Sequence, residues 1–214
     1  MTTLVIIAKE PLPGKAKTRL HPPLSLHDAA LVAAAAIQNT LEGLRGLPAT
    51  RRVLLFDGER LPVGSDGYDV IPQTSGGLDE RLAAIFDDLD GPVVLVGMDT
   101  PQVTAAHLLP AFLPGSDHID AWFGPAADGG FWALGMREPR GDLIRGVPMS
   151  RDDTGDRQLA RLHSAGMRVG MLATLTDVDT FDTALEVAGL IPSSSFARTL
   201  ARLSAGLDTN VAAL

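Results

Sequence analysis

Short apolar segments with the length of buried strands alternate with segments of helical periodicity, and this alternation most constrains the fold. Residues 4–8 and 92–97 carry apolar runs that do not alternate with polar residues, as expected of strands buried on both faces. Between them, an Ala-rich segment starts at Ser25, a good N-cap, and continues to about Arg45. Such alternation predicts an α/β protein: a single-domain, three-layer α/β/α fold with a mostly parallel sheet.

The remaining elements follow from the same patterns. Further strands are predicted at residues 52–57, 68–72, 120–124, 131–136 and 167–173, and further helices at 78–89, 154–165, 180–189 and 193–205. Pro101 is expected to open another helix as an early-turn proline. We expect one domain over residues 1–206 and a frayed C-terminal tail over residues 207–214.

The composition limits the partners and the chemistry. The net charge of −8 argues against nucleic acid or an anionic membrane as the main partner. The chain has no cysteine, which excludes thiolate catalysis and Cys-based zinc sites. It shows neither a signal peptide nor an apolar stretch of about 20 residues, so a cytoplasmic protein is expected. The sequence leaves a homodimer open.

One loop concentrates positive charge. All three lysines of the chain, Lys9, Lys15 and Lys17, lie within nine residues directly after the first predicted strand, and Arg19 follows them. The alternative is a solvated surface loop with ordinary lysines, but lysine is avoided everywhere else in the chain. A cationic Pro/Gly loop at the end of a first strand predicts a phosphate-binding site.

The loop matches neither a P-loop nor the G-x-G-x-x-G pattern, so side chains and backbone amides would hold the phosphates together. Residues 73–81 form a weaker candidate for contacts with a base or substrate, because two glycines there open a helix. The expected nucleotide-binding residues are Lys9, Pro13, Gly14, Lys15, Lys17, Thr18, Arg19, Gly76 and Gly77.

Three aspartates follow predicted strands. Asp99 lies just past the strand at residues 92–97, at the sheet edge where α/β proteins bind ligands, and a carboxylate there suits Mg²⁺ or Mn²⁺. Its alternative role is to cap the helix expected at Pro101. Asp177 and Asp179 lie between a strand and a helix, and helix capping is again the alternative.

A Gly-rich turn is predicted between two strands at residues 124–132. The glycines of Asp128-Gly129-Gly130 would let the backbone approach a ligand closely. Phe131 follows this turn, and its ring could line a pocket or belong to the core.

Three motifs together resemble the family of 2-phospholactate guanylyltransferase and, more closely, bacterial proteins named as its glycosyltransferase-like relatives. For the guanylyltransferase the motifs are Lys17-Thr18-Arg19-Leu20 in the cationic loop, Gly97-x-Asp99-x-Pro101 and Asp177-x-Asp179-Thr180. For the closer relatives they are Pro11-x-Pro13-Gly14-x-x-Lys17-Thr18-Arg19-Leu20, Gly97-x-Asp99-x-Pro101 and Gly124-Pro125-Ala126-x-Asp128-Gly129-Gly130-aromatic. The resemblance covers roughly residues 4–190. It implies the nucleotide-diphospho-sugar transferase (GT-A) fold, with a nucleotide bound over the first half of the sheet.

The resemblance also implies roles for single residues. Lys15, Lys17 and Arg19 match the family's phosphate-binding loop. Asp99 matches its metal-binding aspartate, and Asp179, less closely Asp177, matches a second carboxylate beside the metal. Asp128, Gly129 and Gly130 match the loop on the acceptor side. Two departures stand out. The relatives usually carry Trp-Ser-Thr where this chain has Met149-Ser150-Arg151, so Arg151 becomes a candidate contact for an acceptor anion. Gly97-Met98-Asp99 replaces the Asp-x-Asp of typical GT-A glycosyltransferases.

Three functions fit these observations. The first is a nucleotidyltransferase that joins the nucleoside monophosphate unit of a nucleoside triphosphate to a small anionic acceptor, with Lys17, Arg19 and Asp99 as catalytic residues. The second is a glycosyltransferase that uses a nucleotide-diphospho-sugar. The third is a non-catalytic nucleotide-binding protein. The single Gly-x-Asp and the cluster of cations favour the first.

Overall fold

Seven strands form one sheet in the structure, a computed structural model that describes residues 2–113 and 118–211. They are β1 (Thr3–Lys9), β2 (Arg51–Asp57), β3 (Asp69–Pro72), β4 (Val93–Val96), β5 (Ala121–Pro125), β6 (Phe131–Met136) and β7 (Val169–Met171). Their order across the sheet is β3-β2-β1-β4-β6-β5-β7. Neighbouring strands are parallel except at β6, which runs antiparallel to both β4 and β5.

Six α-helices complete the described fold. They are α1 (Leu26–Gly43), α2 (Leu78–Asp88), α3 (Ala105–Leu108), α4 (Thr154–Ser164), α5 (Phe181–Leu190) and α6 (Ser195–Val211). No helix among the described residues is long and apolar enough to span a lipid bilayer. Helix α6 continues past Gly206, where the sequence predicted a frayed tail; residues 212–214 lie outside the described part of the chain.

The sheet is buried on both faces, as the continuous apolar strands require. Leu4 and Ile6 of β1 point into one core cluster, which also contains side chains of α1. Val5 of the same strand points into the opposite cluster, together with side chains of α2. Because successive side chains of a strand point to opposite faces, both faces select apolar residues. The predicted α/β class with a mostly parallel sheet is therefore confirmed.

A third core cluster lies away from the sheet and fixes the cationic loop. It joins α1, α5 and α6 through side chains such as Val187 and Phe196. Leu20 and Leu24, which follow the loop, are fully buried in this cluster. The loop is thus tied to the helices by apolar packing even though most of its residues are exposed.

The prediction that Pro101 opens a helix is wrong. Pro101 lies instead in a turn, in which the Val103 amide donates to the Thr100 carbonyl at 3.0 Å. Proline suits the second position of such a turn because its φ is already fixed near the required value. The helix α3 starts only at Ala105, with Thr104 as its N-cap.

The topology gathers six loops at one edge of the sheet. Strands β1 to β5 and β7 share one direction, so the loops that follow them leave from the same edge. Strand β6 starts at that edge because it runs in the opposite direction. The cationic loop, the segment around Asp99, the Asp128 turn and the segment around Asp179 therefore meet there.

Shortening Leu20 should loosen the anchor of the cationic loop. Leu20→Ala removes a fully buried side chain, and such substitutions lower the free energy of unfolding by about 2–5 kcal/mol. Leu12→Ala is a matched control in the same loop, because Leu12 is 37% exposed and should cost less than about 1 kcal/mol. Urea unfolding of both variants checks the prediction, and equal losses would contradict it.

Candidate active site

A buried lysine joins two carboxylates at the loop-bearing edge of the sheet. Lys17 Nζ lies 2.6 Å from Asp99 Oδ1 and 3.1 Å from Asp179 Oδ1. Arg19 adds a second cation by pairing its Nη2 with the other oxygen of Asp179. The two carboxylates come from loops after β4 and β7, so the ion pairs connect distant parts of the chain. We refer to Lys17, Arg19, Asp99 and Asp179 as the charge cluster.

The backbone of Lys17 is unusual as well. Lys17 has φ 50° and ψ 39°, in the left-handed helical region that residues other than glycine seldom adopt. This conformation costs about 1–2 kcal/mol for a residue with a side chain. The side chain is only 6% exposed, which differs from the exposed loop lysine that the sequence suggested. Tertiary contacts must therefore hold the backbone in this conformation.

The carboxylates keep the buried lysine charged. Burial by itself lowers the pKa of Lys17, but the charges of Asp99 and Asp179, together with their hydrogen bonds to the ammonium, raise it more. The net pKa of Lys17 lies above its usual value of 10.5. Lys17 is thus an ammonium ion at any physiological pH.

Neither Asp99 nor Asp179 caps a helix. Asp99 lies in irregular chain before the N-cap Thr104 of α3. Asp179 precedes the N-cap Thr180 of α5, and its amide donates to Thr183 Oγ1 at 3.0 Å. The capping alternative is therefore excluded for both residues by the geometry of the helix starts. Their carboxylates pair with Lys17 and Arg19 instead.

Backbone contacts hold these two loops together. The Val178 amide donates to the Asp99 carbonyl at 2.8 Å, and the fully buried Val178 side chain packs into the helical core cluster. Gln102 is buried too and donates through Nε2 to the Thr176 carbonyl at 2.7 Å. The relative position of Asp99 and Asp179 is thus set by the fold and not by their ion pairs alone.

Asp177 is a third carboxylate beside the cluster. Burial, followed by repulsion from Asp99 and Asp128, raises its pKa from 3.8 to about 7, against a smaller opposing effect of Lys17. Its Oδ1 atom is buried and has no hydrogen-bond partner among the residues that the structure describes. Asp99 Oδ1 is buried too, and it contacts the Lys17 ammonium at 2.6 Å. Carboxylate oxygens are the ligands that a hard cation such as Mg²⁺ prefers.

The Asp128 turn borders the same carboxylates. The Ala127 amide donates to the Leu175 carbonyl at 2.9 Å, which ties the turn to the segment that carries Asp177. Asp128 Oδ1 accepts the Gly130 amide at 2.9 Å and closes the turn, and the Asp128 side chain is otherwise exposed.

Glycine is required where this turn meets the start of α4. Gly129 has φ +90°, and a Cβ atom there would lie 1.9 Å from the Asp152 carbonyl oxygen. A Cβ atom on Gly155 would lie 2.6 Å from the Gly130 carbonyl oxygen. Arg151 is therefore held on the segment that packs against the turn, and its side chain is exposed.

Other predicted site residues are not part of the charge cluster. Lys9 and Lys15 are exposed and form no ion pair with any residue in the described ranges. Pro13, Gly14 and Thr18 are exposed on the same loop, Gly14 with φ +75°. Gly76 and Gly77 precede α2, with Gly77 as its N-cap. Phe131 is half-buried and packs on the Phe123 ring with centroids 5.5 Å apart, so it contributes to the core.

A polar network that the sequence did not single out lies at the ends of β1 and β2. Gln73 Nε2 donates to the Ala8 carbonyl at 2.8 Å and to the Leu55 carbonyl at 3.2 Å. Gln73 Oε1 accepts from Arg81 Nη1 at 3.0 Å, and Arg81 Nε is buried without a partner. In the sequence, the glycines indicated only that the range 73–81 was a candidate for contacts with a base or substrate. The pairing of Gln73 with Arg81 was not predicted, because a glutamine and an arginine eight residues apart form no motif.

Within residues 2–113 and 118–211, no group of three His, Cys, Asp or Glu side chains has the geometry to hold a metal ion by itself.

Comparisons with known proteins place the chain in a fold family. The sequence profile of the family described as "Uncharacterized protein conserved in bacteria (DUF2064)" matches residues 41–151, just over half of the chain. No curated protein matches the chain in sequence. A presumed nucleotide-diphospho-sugar transferase from Desulfovibrio desulfuricans G20 has a similar structure, with 25% identity, a TM-score of 0.83 and 97% of each chain covered.

More distant structures share the fold alone. CMP:2-keto-3-deoxy-manno-octonic acid synthetase complexed with CTP has 15% identity and a TM-score of 0.59, covering 90% of this chain and 98% of its own. Rv0371c from Mycobacterium tuberculosis H37Rv, complexed with manganese, has 22% identity and a TM-score of 0.52, covering 87% of this chain and 96% of its own. The fold is therefore that of the GT-A-like superfamily, as the sequence predicted.

The raised pKa of Asp177 should make stability depend on pH. The folded state binds one more proton than the unfolded state between about pH 4 and pH 7, so the free energy of unfolding falls as pH rises through that window. The slope is at most about 1.4 kcal/mol per pH unit. Asp177→Asn should remove this part of the slope. Urea titrations at several pH values give the free energy of unfolding of both proteins. An equal dependence of this free energy on pH between about pH 4 and pH 7 would contradict the prediction.

Proposed function

The chain belongs to the DUF2064 family, and we propose that it is a metal-dependent nucleotidyltransferase. The proposed reaction transfers the nucleoside monophosphate unit of a nucleoside triphosphate to a small anionic acceptor. The observation that carries the proposal is the charge cluster, in which two carboxylates and two cations from three loops meet at the ligand-binding edge of the sheet. A transferase is the class of enzyme that the fold supports.

The cationic loop is suited to a triphosphate. An acceptor oxygen attacks the α-phosphorus. The bond from that phosphorus to the oxygen that bridges it to the β-phosphorus breaks, and pyrophosphate leaves with the electron pair of this bond. Lys15 and Arg19 are exposed on the loop and can contact phosphate oxygens from solvent. Holding and neutralising the phosphates in this way lowers the barrier chiefly through alignment and electrostatic stabilisation.

The carboxylates fit a divalent cation. Asp99 and Asp177 each have a buried oxygen, that of Asp177 without a hydrogen-bond donor among the described residues, and Asp179 adds a third carboxylate beside them. Mg²⁺ or Mn²⁺ would be held by Asp99 with Asp179 or Asp177, completed by phosphate oxygens of the substrate. A cation bound there supplies charge for the developing pyrophosphate.

The acceptor would bind on the other side of the carboxylates. The Asp128 turn lies there, and its Asp128 side chain is exposed. Arg151 is an exposed cation directly before Asp152, whose carbonyl oxygen lies against Gly129 of this turn. A cation beside the turn favours an anionic acceptor.

A glycosyltransferase is the second candidate. The Desulfovibrio desulfuricans protein, which is similar over the whole length of the chain, is described as a presumed nucleotide-diphospho-sugar transferase. Both reactions place a nucleotide diphosphate over the same loop. Two distant neighbours were solved with CTP in one case and manganese in the other, but neither ligand separates the candidates for this chain.

Ligand-induced stabilisation tests the choice. The protein is heated with each of the four common nucleoside triphosphates, with the common nucleotide sugars, and with Mg²⁺ or Mn²⁺ in every sample. A ligand at 100 times its Kd adds about 2.7 kcal/mol to the free energy of unfolding. A nucleoside triphosphate that stabilises the protein is then incubated with a panel of small hydroxylated anions, and pyrophosphate release is measured. Stabilisation by nucleotide sugars alone would support the glycosyltransferase.

Asp99→Asn should separate metal binding from folding. Asp99 is 41% exposed and caps no helix, and Lys17 keeps Asp179 as partner, so the melting temperature should fall by only a few degrees. The neutral amide lacks the charge a hard cation needs, so the gain in nucleotide affinity upon adding Mg²⁺ should be lost.

The matched control for this variant is Asp90→Asn, an exposed position directly before β4 at the opposite edge of the sheet. It should retain the full Mg²⁺ effect. An Asp99→Asn protein that still gains affinity with Mg²⁺ would remove Asp99 from the metal site.

A further inference from the structure

We propose that Lys17 holds the place of the divalent cation in the free protein and moves to the phosphates when metal and nucleotide bind, so that the two ligands bind as a pair. The inference rests on the proposed metal–nucleotide site and concerns how that site is assembled. It assigns Lys17 two alternating partners, carboxylates in the free protein and phosphate oxygens in the complex.

The first step of the argument is position. Lys17 Nζ contacts one oxygen of Asp99 and one oxygen of Asp179, at 2.6 Å and 3.1 Å. A single cation between two carboxylates from different loops has the arrangement that a bridging metal ion would need. The left-handed backbone of Lys17, which costs free energy, directs the side chain into this place.

The second step is charge. Asp99 and Asp179 contribute two negative charges, and Lys17 and Arg19 contribute two positive charges. A divalent cation added to this balanced cluster would meet an ammonium ion bound to the same oxygens. Like charges repel strongly at such distances in a partly buried site. The metal by itself should therefore bind weakly while Lys17 stays in place.

The third step is access. The Lys17 side chain is 6% exposed, whereas Asp99 is 41% exposed and Asp179 is 28% exposed. A metal ion can thus reach the carboxylates from solvent without passing the ammonium group. The four-carbon stem of lysine lets its ammonium group turn towards a neighbouring anion without moving the backbone.

The fourth step is what the nucleotide adds. A triphosphate brings negative oxygens both to the metal and to the cationic loop, so it offers Lys17 new partners as the metal takes the old ones. Arg19 can remain paired with Asp179 during this exchange. Metal and triphosphate then strengthen each other's binding, and by linkage the factor is the same in both directions.

The variant Lys17→Met tests the exchange because methionine is also long and unbranched but carries no charge. Mn²⁺ bound to the protein is measured by equilibrium dialysis, first without phosphate and then with inorganic tripolyphosphate in both chambers, because tripolyphosphate itself binds Mn²⁺. This probe needs no knowledge of the base. Without phosphate, the variant should bind Mn²⁺ at least about five-fold more tightly than the unaltered protein, the lower end of typical coupling effects. Tripolyphosphate should improve Mn²⁺ binding less in the variant than in the unaltered protein.

Arg51→Met is the matched control. Arg51 pairs with Asp69 at 2.8 Å at the opposite edge of the sheet, so its loss changes the net charge equally without touching the cluster. Its Mn²⁺ affinity should equal that of the unaltered protein. If Lys17→Met is unfolded, Mn²⁺ alone should refold it, as followed by circular dichroism, because the metal replaces the missing cation.

The outcomes separate this inference from the proposed function. Equal Mn²⁺ affinity in the two proteins without phosphate, or a Lys17→Met variant that stays unfolded with Mn²⁺, overturns the exchange and leaves the metal site standing. Absence of Mn²⁺ binding in both proteins, even with tripolyphosphate, overturns the metal site and the exchange together.

Discussion

The candidate site depends on one buried ammonium group between two carboxylates. Lys17 pairs with Asp99 and Asp179, and without it two negative charges from different loops would face each other at the sheet edge. Removing one partner of a buried ion pair is costly because the other charge stays buried and unpaired. The close approach of these loops in the free protein thus requires a cation at this place. A protein that binds metal and phosphate there has to provide that cation itself until the ligands arrive.

The fold explains why these carboxylates are available. Asp99 would be a helix cap if α3 began at Pro101, but the turn at Thr100–Val103 delays the helix to Ala105. At the other loop, the capping is done by Thr180. Thr104 and Thr180 therefore cap the two helices in place of the aspartates. Asp99 and Asp179 are left to pair with Lys17, and the neighbouring Asp177 keeps a buried oxygen without a donor among the described residues, which is an arrangement that proteins rarely keep without a functional reason.

The sequence predicted the sheet and its helices because burial on both faces leaves a local pattern. It also predicted which loops carry charge. It could not predict that Lys17 would be buried, since its carboxylate partner Asp179 lies 162 positions away and the contact exists only through the sheet topology. The network of Gln73 and Arg81 was not predicted for the same reason. Gln73 donates hydrogen bonds to backbone carbonyls of two other strands, and these contacts also depend on the sheet topology. Residue types are local information, whereas their pairing is a property of the fold.

The antiparallel strand β6 would turn the proposed nucleotide-binding edge into a site for two substrates. In an all-parallel sheet the chain after β5 would leave the edge through a crossover. Here it returns at once through the Asp128 turn into β6, whose first residues lie beside the end of β4: the Gly97 amide donates to the Trp132 carbonyl at 2.9 Å. The turn is thereby held close to Asp99 on the side away from the cationic loop. Donor and acceptor would thus approach the same carboxylates from opposite directions, which is the arrangement that direct transfer between them requires.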